Sequence, residues 1–169
     1  MTADSKAILV AYRDLAAIAK SSDAWNPASL SESLTAAATT LQSARGPDAP
    51  SIEVRVPHVI EGYANSDVIA ILLPVIENAI EAARPATVVT IAYSLLDDGE
   101  HRLRVSGESM NEPGSDRIYE AGFTTKDGHE GLGLAAARSL ADRFPGAGLT
   151  HVSIGTKVHF DLVLRARRD

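Results

Sequence analysis

The chain has 169 residues, enough for one ordinary globular domain with a short extension. Hydrophobic residues make up 45% of it and charged residues 22%, the composition of a soluble, folded protein. The formal net charge of -6 argues against a nucleic-acid partner, and the absence of cysteine excludes a disulfide framework and a thiolate metal site. No apolar run reaches the roughly 20 residues of a transmembrane helix, and the charged N-terminus is unlike a secretory leader. We therefore expect a cytoplasmic protein without a membrane segment.

Hydrophobic periodicity divides the chain into alternating helices and strands. Apolar residues recur every three to four positions in the helical segments and every second position in the strands. In chain order, the pattern predicts a helix at 4–21, a helix at 29–44, strands at 51–56 and near 61–64, a helix at 66–83, strands at 87–95 and 102–105, a helix at 131–144, and strands at 149–154 and 157–164. Strand pairs between helices favour a mixed, mainly antiparallel sheet with helices on one face. The predicted fold class is a two-layer α+β sandwich.

Residues 107–130 lack periodicity and hold glycine, proline and polar residues. Loops of this length inside a compact domain are usually functional. Gly131 and Gly133 follow and open a helix, so their backbone N–H groups lie beside the positive end of the helix dipole, an arrangement that suits phosphate. Additional donors to a phosphate are available in the preceding loop, from Thr124, Thr125 and Lys126. The alternative is that the two glycines only allow close packing of the helix on the sheet.

Two other phosphate-binding motifs are excluded. Gly131, Gly133 and Ala136 satisfy the loose dinucleotide pattern. That fingerprint requires a buried strand directly before it, however, and polar loop residues stand there. A Walker A loop is absent from the sequence. The glycines therefore indicate neither a Rossmann domain nor a P-loop domain.

Three motifs together resemble a known ATPase superfamily. The segment FTTK at 123–126 resembles the F box, and GLGL at 131–134 resembles the second glycine box, of the histidine kinase, gyrase, chaperone and mismatch-repair ATPases. FTTK resembles that of sensor histidine kinases in particular. The apolar segment 72–82 resembles their N box and lies at the expected distance upstream. The resemblance runs from about residue 28 to the C-terminus and implies a Bergerat-type ATP-binding fold.

The resemblance also implies a site for ATP and magnesium. Asn78 matches the N-box asparagine that helps to hold the Mg²⁺ ion bridging the phosphates, and one amide oxygen suffices for a metal that keeps phosphate and water ligands. Glu77 precedes it, as in several family members, and is the candidate catalytic residue. The implied nucleotide-binding residues are Asn78, Glu108, Thr124, Thr125, Lys126, Gly131, Leu132, Gly133 and Leu134. Without the resemblance, the residues favour an asparagine that caps a neighbouring loop and a solvated glutamate.

The sequence departs from the family pattern in the N box and in the first glycine box. Pro74 stands four residues before the N-box asparagine, where sensor kinases usually carry a second asparagine, and proline removes a helix hydrogen bond and can kink the helix. Gly107 aligns with the aspartate that reads the adenine amino group, and Ser109 and Asn111 replace the two glycines. Glu108 is a candidate substitute acceptor, one residue out of register. We therefore expect an intact phosphate side and a weakened adenine side.

Autokinase activity needs a histidine on a dimerising helical hairpin. The histidines of this chain all fall in predicted loops or strands, at His58, His101, His129, His151 and His159. We assign residues 1–25 to an N-terminal helical segment, at most a remnant of such a hairpin, and residues 26–169 to the ATP-binding domain. The phosphoacceptor is then expected on another segment or another chain.

The leading interpretation is a Mg-ATP-binding catalytic domain of two-component signalling that donates a phosphoryl group to a histidine. Its expected partner is a histidine-bearing or response-regulator protein, and a homodimer stays open. The first alternative is a degenerate, non-catalytic docking or dimerisation module, motivated by Pro74, Gly107 and Ser109. The second is a serine kinase of the anti-sigma type, against which FTTK and the N-terminal helix count.

Overall fold

A computed structural model of the chain describes residues 29–110 and 133–166, in which helices and strands follow the predicted order. The helices are α1 (Leu30–Arg45), α2 (Asn65–Ala82) and α3 (Gly133–Ala141). The strands are β1 (Ser51–Arg55), β2 (Val88–Leu95), β3 (His101–Glu108), β4 (Gly148–Ile154) and β5 (Lys157–Leu164). The predicted helix at 4–21 lies outside the described residues.

The five strands form a single sheet in the order β1-β2-β3-β5-β4. Strand β1 pairs with β2 in parallel, and the other three pairings are antiparallel. Alternate residues share a face, so that Ile91 of β2, Val105 of β3 and Phe160 of β5 form one buried row. The mixed, mainly antiparallel sheet with helices on its apolar face confirms the predicted α+β fold class.

Helix α2 forms the centre of the core. Every residue from Val68 to Ile76 is buried, because this helix packs against α1, α3 and β3 at once. A helix that is apolar all round is the expected solution for such a position. Helix α2 runs through Pro74, as predicted for a single helix at 66–83. Among the described residues, no helix is long and apolar enough to cross a membrane.

The helix α1 begins with a side-chain cap. Ser29 accepts a hydrogen bond from the Glu32 backbone N–H, and its hydroxyl also lies 2.8 Å from the Nδ1 atom of His58. The Asn65 side-chain amide donates to the His58 carbonyl oxygen, which ties the start of α2 to the same point. These contacts join the beginnings of two helices that cover the sheet.

The strand predicted near residues 61–64 is wrong. The structure has a turn there, in which the Tyr63 N–H donates to the Ile60 carbonyl oxygen and Gly62 adopts a positive φ of 84°. Ile60 and Tyr63 are both buried, at a spacing of three rather than two. Strand β1 therefore finds its partner in β2, by a parallel crossover through α2, and not in an adjacent hairpin.

Two predicted boundaries also shift. Strand β3 extends to Glu108, three residues past its predicted end at Val105, since it stays paired with β5 along its whole length. Helix α3 ends at Ala141 and is followed by turns through Gly146, whereas the periodicity predicted helix to Phe144. The extension of β3 determines which way its last residues face, and this affects the site.

Candidate functional site

Helix α2 becomes partly accessible to solvent at Glu77 and Asn78, the two candidate residues of the N box. Pro74, Val75 and Ile76 are buried, whereas Glu77 and Asn78 are half-buried. Their side chains stand where the helix surface first becomes accessible. An amide at this position can reach both a solvent-side ligand and the protein.

The first residue of helix α3 packs against α2 one turn before Asn78. A Cβ atom added to Gly133 would lie 3.4 Å from the Cβ atom of Pro74, an ordinary van der Waals contact, and the Gly133 backbone has no positive φ. Neither strain nor packing among the described residues therefore requires glycine here. This weakens the interpretation that Gly133 only permits close packing. Leu134, the next residue, packs against the hydrophobic core.

The end of strand β3 lies beside the end of α2 because backbone hydrogen bonds join them. The Met110 N–H donates to the Ala82 carbonyl oxygen at 2.8 Å, and the Arg84 N–H donates to the Glu108 carbonyl oxygen at 2.9 Å. The Arg84 Nε atom also donates to the Ser109 carbonyl oxygen at 3.3 Å. Sequence reasoning missed Arg84 as a positioning residue, since nothing in the local pattern distinguishes it from a solvated arginine after a helix.

Gly107 and Glu108 face opposite sides of the sheet. A Cβ atom on Gly107 would lie 3.3 Å from the Cγ2 atom of Val89, which is fully buried on the helix-covered face. Glu108 alternates to the outer face, where its register partner is Lys157 on β5. Ser109 is buried, and its N–H donates to the Thr156 carbonyl oxygen. The outward placement counts against Glu108 as a substitute for the missing adenine-reading carboxylate.

The structure thus brings together three of the sequence-predicted segments. Asn78 lies on α2, Gly133 lies at the start of α3 beside that helix, and Gly107 lies at the β3 end that is bonded to the end of α2. The remaining predicted residues lie outside the described residues: Thr124, Thr125, Lys126, Gly131 and Leu132.

The described side chains could hold a magnesium ion only if phosphate oxygens supplied further ligands. Across residues 29–110 and 133–166, no group of three or more histidine, aspartate or glutamate side chains could hold a metal by itself. Asn78 offers one half-buried amide oxygen, which is the type of donor that Mg²⁺ accepts together with phosphates and water.

The perturbed charges of the described region lie away from this junction. On the outer face of the sheet, Arg104 donates two hydrogen bonds to Asp161, from Nε at 2.7 Å and from Nη2 at 2.8 Å. The Asp161 hydrogen bonds raise the pKa of Arg104 above its ordinary value. Burial, followed by the charge of Arg104, lowers the pKa of the neighbouring His159. These groups hold β3 and β5 together on the outer face of the sheet.

A family model for histidine kinase-, DNA gyrase B- and HSP90-like ATPases matches residues 64–166. The chain belongs to this ATPase family. The matched segment begins at the residue that precedes helix α2 and ends after β5, so it contains Asn78, Gly107 and Gly133. A search among curated proteins found no significant match.

Solved structures with the same fold include histidine kinase domains. The histidine kinase domain of the Erythrobacter litoralis blue-light activated histidine kinase has a TM-score of 0.64 and 18% identity, over 97% of this chain and 75% of that chain. A mycobacterial sensor histidine kinase, MprB, has a TM-score of 0.59 and 19% identity, over 78% of this chain and 93% of that chain. At these identities the likeness shows a shared fold.

This family member is shorter than one of its structural relatives. In another structure of the blue-light activated kinase from Erythrobacter litoralis, the TM-score is 0.63 at 20% identity over 80% of this chain. The chain spans 41% of that kinase's length.

Proposed function

We propose that the chain binds Mg-ATP at the junction of α2, α3 and the end of β3, and donates a phosphoryl group to a histidine on another segment or chain. The observation that carries the proposal is Gly133. Gly133 is the first described residue of helix α3 and lies directly against Pro74, one turn from Asn78, at a position where neither its backbone nor its contacts with the described residues require glycine. A missing side chain there leaves room for phosphate oxygens to approach the helix N-terminus.

Asn78 is the proposed protein ligand of the metal. Its amide is half-buried where α2 leaves the core, one turn past the contact with Gly133. Magnesium bound there would neutralise phosphate charge, which is the main electrostatic requirement of phosphoryl transfer. Thr124, Thr125 and Lys126, with the amides of Gly131 to Leu134, complete the proposed phosphate contacts.

Glu77 is proposed to act beside the metal ligand, at the accessible end of α2. A half-buried carboxylate adjacent to a bound triphosphate can accept a hydrogen bond from the ring N–H of an acceptor histidine. That bond orients the other ring nitrogen, whose lone pair attacks, and the carboxylate can take the N–H proton as the new N–P bond forms. Among the described residues, the histidines lie on strands or loops, and His101 is buried against the Tyr93 hydroxyl. We therefore propose that the accepting histidine lies on another segment or another chain, and that the domain works with a histidine-bearing or response-regulator protein in a cytoplasmic two-component system.

A non-catalytic docking module is the second candidate function, and Gly107 favours it. The described residues around Gly107 supply no carboxylate on the helix-covered face, because Glu108 faces outward and Ser109 is buried in backbone contacts. A domain that has lost base recognition retains the fold and can retain a partner-binding role without turnover.

The test is a calorimetric titration of the chain with ATP, with and without magnesium. We expect magnesium-dependent binding in the micromolar range or weaker. Asn78→Ala should weaken it by about 10- to 100-fold, the equivalent of one lost contact to a charged group. Thr90→Ala, which removes a hydroxyl on the outer face of the sheet, is the matched control and should leave the affinity unchanged. The absence of any magnesium-dependent nucleotide binding would contradict the proposal, and binding unaffected by Asn78→Ala would favour the docking module.

Transfer itself is tested by incubating the chain with radiolabelled ATP and candidate partner proteins. A labelled product that is lost in acid identifies phosphohistidine. An acid-stable product would instead indicate the serine kinase alternative.

A further inference from the structure

The connection between α2 and β2 is a short turn that contains a strained residue. Helix α2 ends at Ala82 and strand β2 begins at Val88, so residues 83–87 make the connection. Ala86 has a positive φ of 62°, and among the described residues other than glycine it alone does so. A side chain is unfavourable in this left-handed region, because its Cβ atom crowds a carbonyl oxygen. Such a conformation persists where the surrounding structure fixes it, and strained residues of this kind cluster at functional sites.

Hydrogen bonds fix this turn on two sides. The Thr87 hydroxyl donates to the Arg84 carbonyl oxygen at 2.6 Å, and the Ser51 N–H donates to the Thr87 carbonyl oxygen at 3.0 Å. On the other side, the Arg84 N–H donates to the Glu108 carbonyl oxygen at 2.9 Å, and the Arg84 Nε atom donates to the Ser109 carbonyl oxygen at 3.3 Å. The turn is therefore held between the start of β1 and the end of β3, and Arg84 is the residue that holds β3.

Arg84 holds two consecutive carbonyl groups at the end of β3, one with its backbone and one with its side chain. The neighbouring residues Ala83 and Ser109 form an antiparallel bridge, and both are buried. Arg84 itself is exposed, so its side chain crosses the surface of this bridge to reach the Ser109 carbonyl oxygen. The end of β3 cannot move away from the end of α2 without breaking the side-chain bond as well as the backbone bonds.

We propose that Arg84 is a positioning residue for nucleotide binding, whose Nε hydrogen bond to Ser109 fixes the end of β3 against α2. The inference rests on the proposed function, because the end of β3, with Gly107, forms one wall of the proposed Mg-ATP site. A wall that is fixed before the ligand arrives lowers the entropy cost of binding. Loss of the Nε bond should therefore weaken nucleotide binding while the fold persists.

Two substitutions of equal chain length separate the hydrogen bond from the charge. The side-chain amide nitrogen of glutamine is as many bonds from Cα as the Nε atom of arginine, so Arg84→Gln keeps a donor at that place. Arg84→Met has the same length and no donor. Both variants remove the positive charge, which follows a helix without a basic residue in its last turn and so interacts favourably with the helix dipole. A difference between the two variants therefore reports the hydrogen bond and not the charge.

Amide hydrogen exchange of the whole chain without nucleotide tests whether Arg84 holds the end of β3. The Met110 amide, which donates to the Ala82 carbonyl oxygen, should exchange about three- to tenfold faster in Arg84→Met than in the natural chain, the equivalent of one lost hydrogen bond. In Arg84→Gln its rate should stay close to the natural one. The Leu96 amide, bonded in the turn between β2 and β3 at the far end of these strands, should not change. Equal Met110 rates in Arg84→Met and the natural chain would overturn the proposal.

Calorimetric titration with Mg-ATP tests the effect on binding. We expect Arg84→Met to bind about three- to tenfold more weakly than the natural chain, and Arg84→Gln to retain most of the affinity. Arg102→Met is the matched control. The Arg102 Nε atom donates to the Ser94 hydroxyl at 3.1 Å near the start of β3, so this variant loses a similar bond away from the site and should bind as the natural chain does.

The titration distinguishes an error in the role of Arg84 from an error in the proposed function. If the natural chain binds Mg-ATP and Arg84→Met binds equally well, the positioning role is wrong and the proposed function stands. The same holds if Arg84→Gln or Arg102→Met loses as much affinity as Arg84→Met. If the natural chain does not bind Mg-ATP, the proposed function is wrong, and the role of Arg84 in nucleotide binding is wrong with it, whatever the exchange rates show.

Discussion

The replacement Gly107→Asp is the most informative single change in the candidate site. The motif resemblance predicts that Gly107 stands where related kinases carry a carboxylate that reads the adenine amino group, and Gly107 faces the helix-covered side of the sheet. The cost of the change can be worked from the contact with Val89. A Cβ atom at position 107 would lie 3.3 Å from the Val89 Cγ2 atom, and Val89 is fully buried, so it must shift by a few tenths of an ångström. Overpacking of this size destabilises the fold by about 1 kcal/mol, or about 3 °C in melting temperature for a domain of this length.

The expected benefit of Gly107→Asp is a higher affinity for Mg-ATP than for Mg-GTP. A carboxylate that accepts a hydrogen bond from an amino group contributes about 1.5–3 kcal/mol, so the affinity for Mg-ATP should rise about 10- to 100-fold. Mg-GTP presents a carbonyl oxygen at the same place and should gain nothing. The assay is a calorimetric titration of both nucleotides into the natural chain, Gly107→Ala and Gly107→Asp. Gly107→Ala is the matched control, because it adds the same Cβ contact without the charge.

Two results would contradict this prediction: Gly107→Asp raises the affinity for both nucleotides equally, or for neither, while its melting temperature stays close to that of Gly107→Ala. Either result would mean that the base does not lie against the end of β3. A rise in ATP affinity with Gly107→Ala alone would assign the effect to packing rather than to hydrogen bonding.

Three further changes separate binding from stability. In Gly133→Ala the new methyl group lies only at ordinary contact distance from Pro74, so the free energy of unfolding, measured by thermal denaturation, should change by less than about 1 kcal/mol. Calorimetry should nevertheless show at least about tenfold weaker Mg-ATP binding. Asp161→Asn removes the negative charge and one of the two oxygens that accept hydrogen bonds from Arg104, so the free energy of unfolding in urea should fall by about 1 kcal/mol, with nucleotide affinity unchanged. Burial and then Arg104 lower the pKa of His159 in the folded chain, so the unfolded chain binds the proton first as the pH falls below about 6.5. Between about pH 7 and pH 5.5 the natural chain should therefore lose more stability than His159→Gln.

Most helices and strands could be predicted from local patterns, because the hydrophobic spacing within each segment agrees with the structure that the segment adopts. Apolar periodicity at 66–83 predicted the helix that forms the centre of the core, and strict alternation at 51–56 predicted the half-buried strand β1. The parallel pairing of β1 with β2 could not be predicted, because it depends on a crossover through α2. The strand predicted at 61–64 was wrong because Ile60 and Tyr63 are apolar residues that reach the core from a turn. In the sequence, such a segment cannot be distinguished from a short strand.

The sequence motifs select candidate residues for the site, but they do not predict the directions in which those residues face. Asn78 and Gly133 were identified from motifs, and their proximity follows from the packing of α3 on α2. The facing of Gly107 and Glu108 depends on how far β3 continues. With the strand predicted to end at Val105, residues 106–113 had no defined face; with the strand paired to β5 as far as Glu108, alternation assigns one residue inward and the next outward. Only long-range pairing supplies that information.

The two departures from the family pattern change the site in the same physical direction. Pro74 replaces a polar side chain with one that packs against the start of α3, and Gly107 replaces a carboxylate with a bare backbone against Val89. Each substitution removes a hydrogen-bonding group from the helix side of the sheet and leaves an apolar contact in its place. The groups that remain, a half-buried amide and a glycine at a helix N-terminus, recognise charge and not the shape of a base. If Mg-ATP binds at this junction as proposed, we expect its phosphates to supply most of the binding energy and its base to supply little.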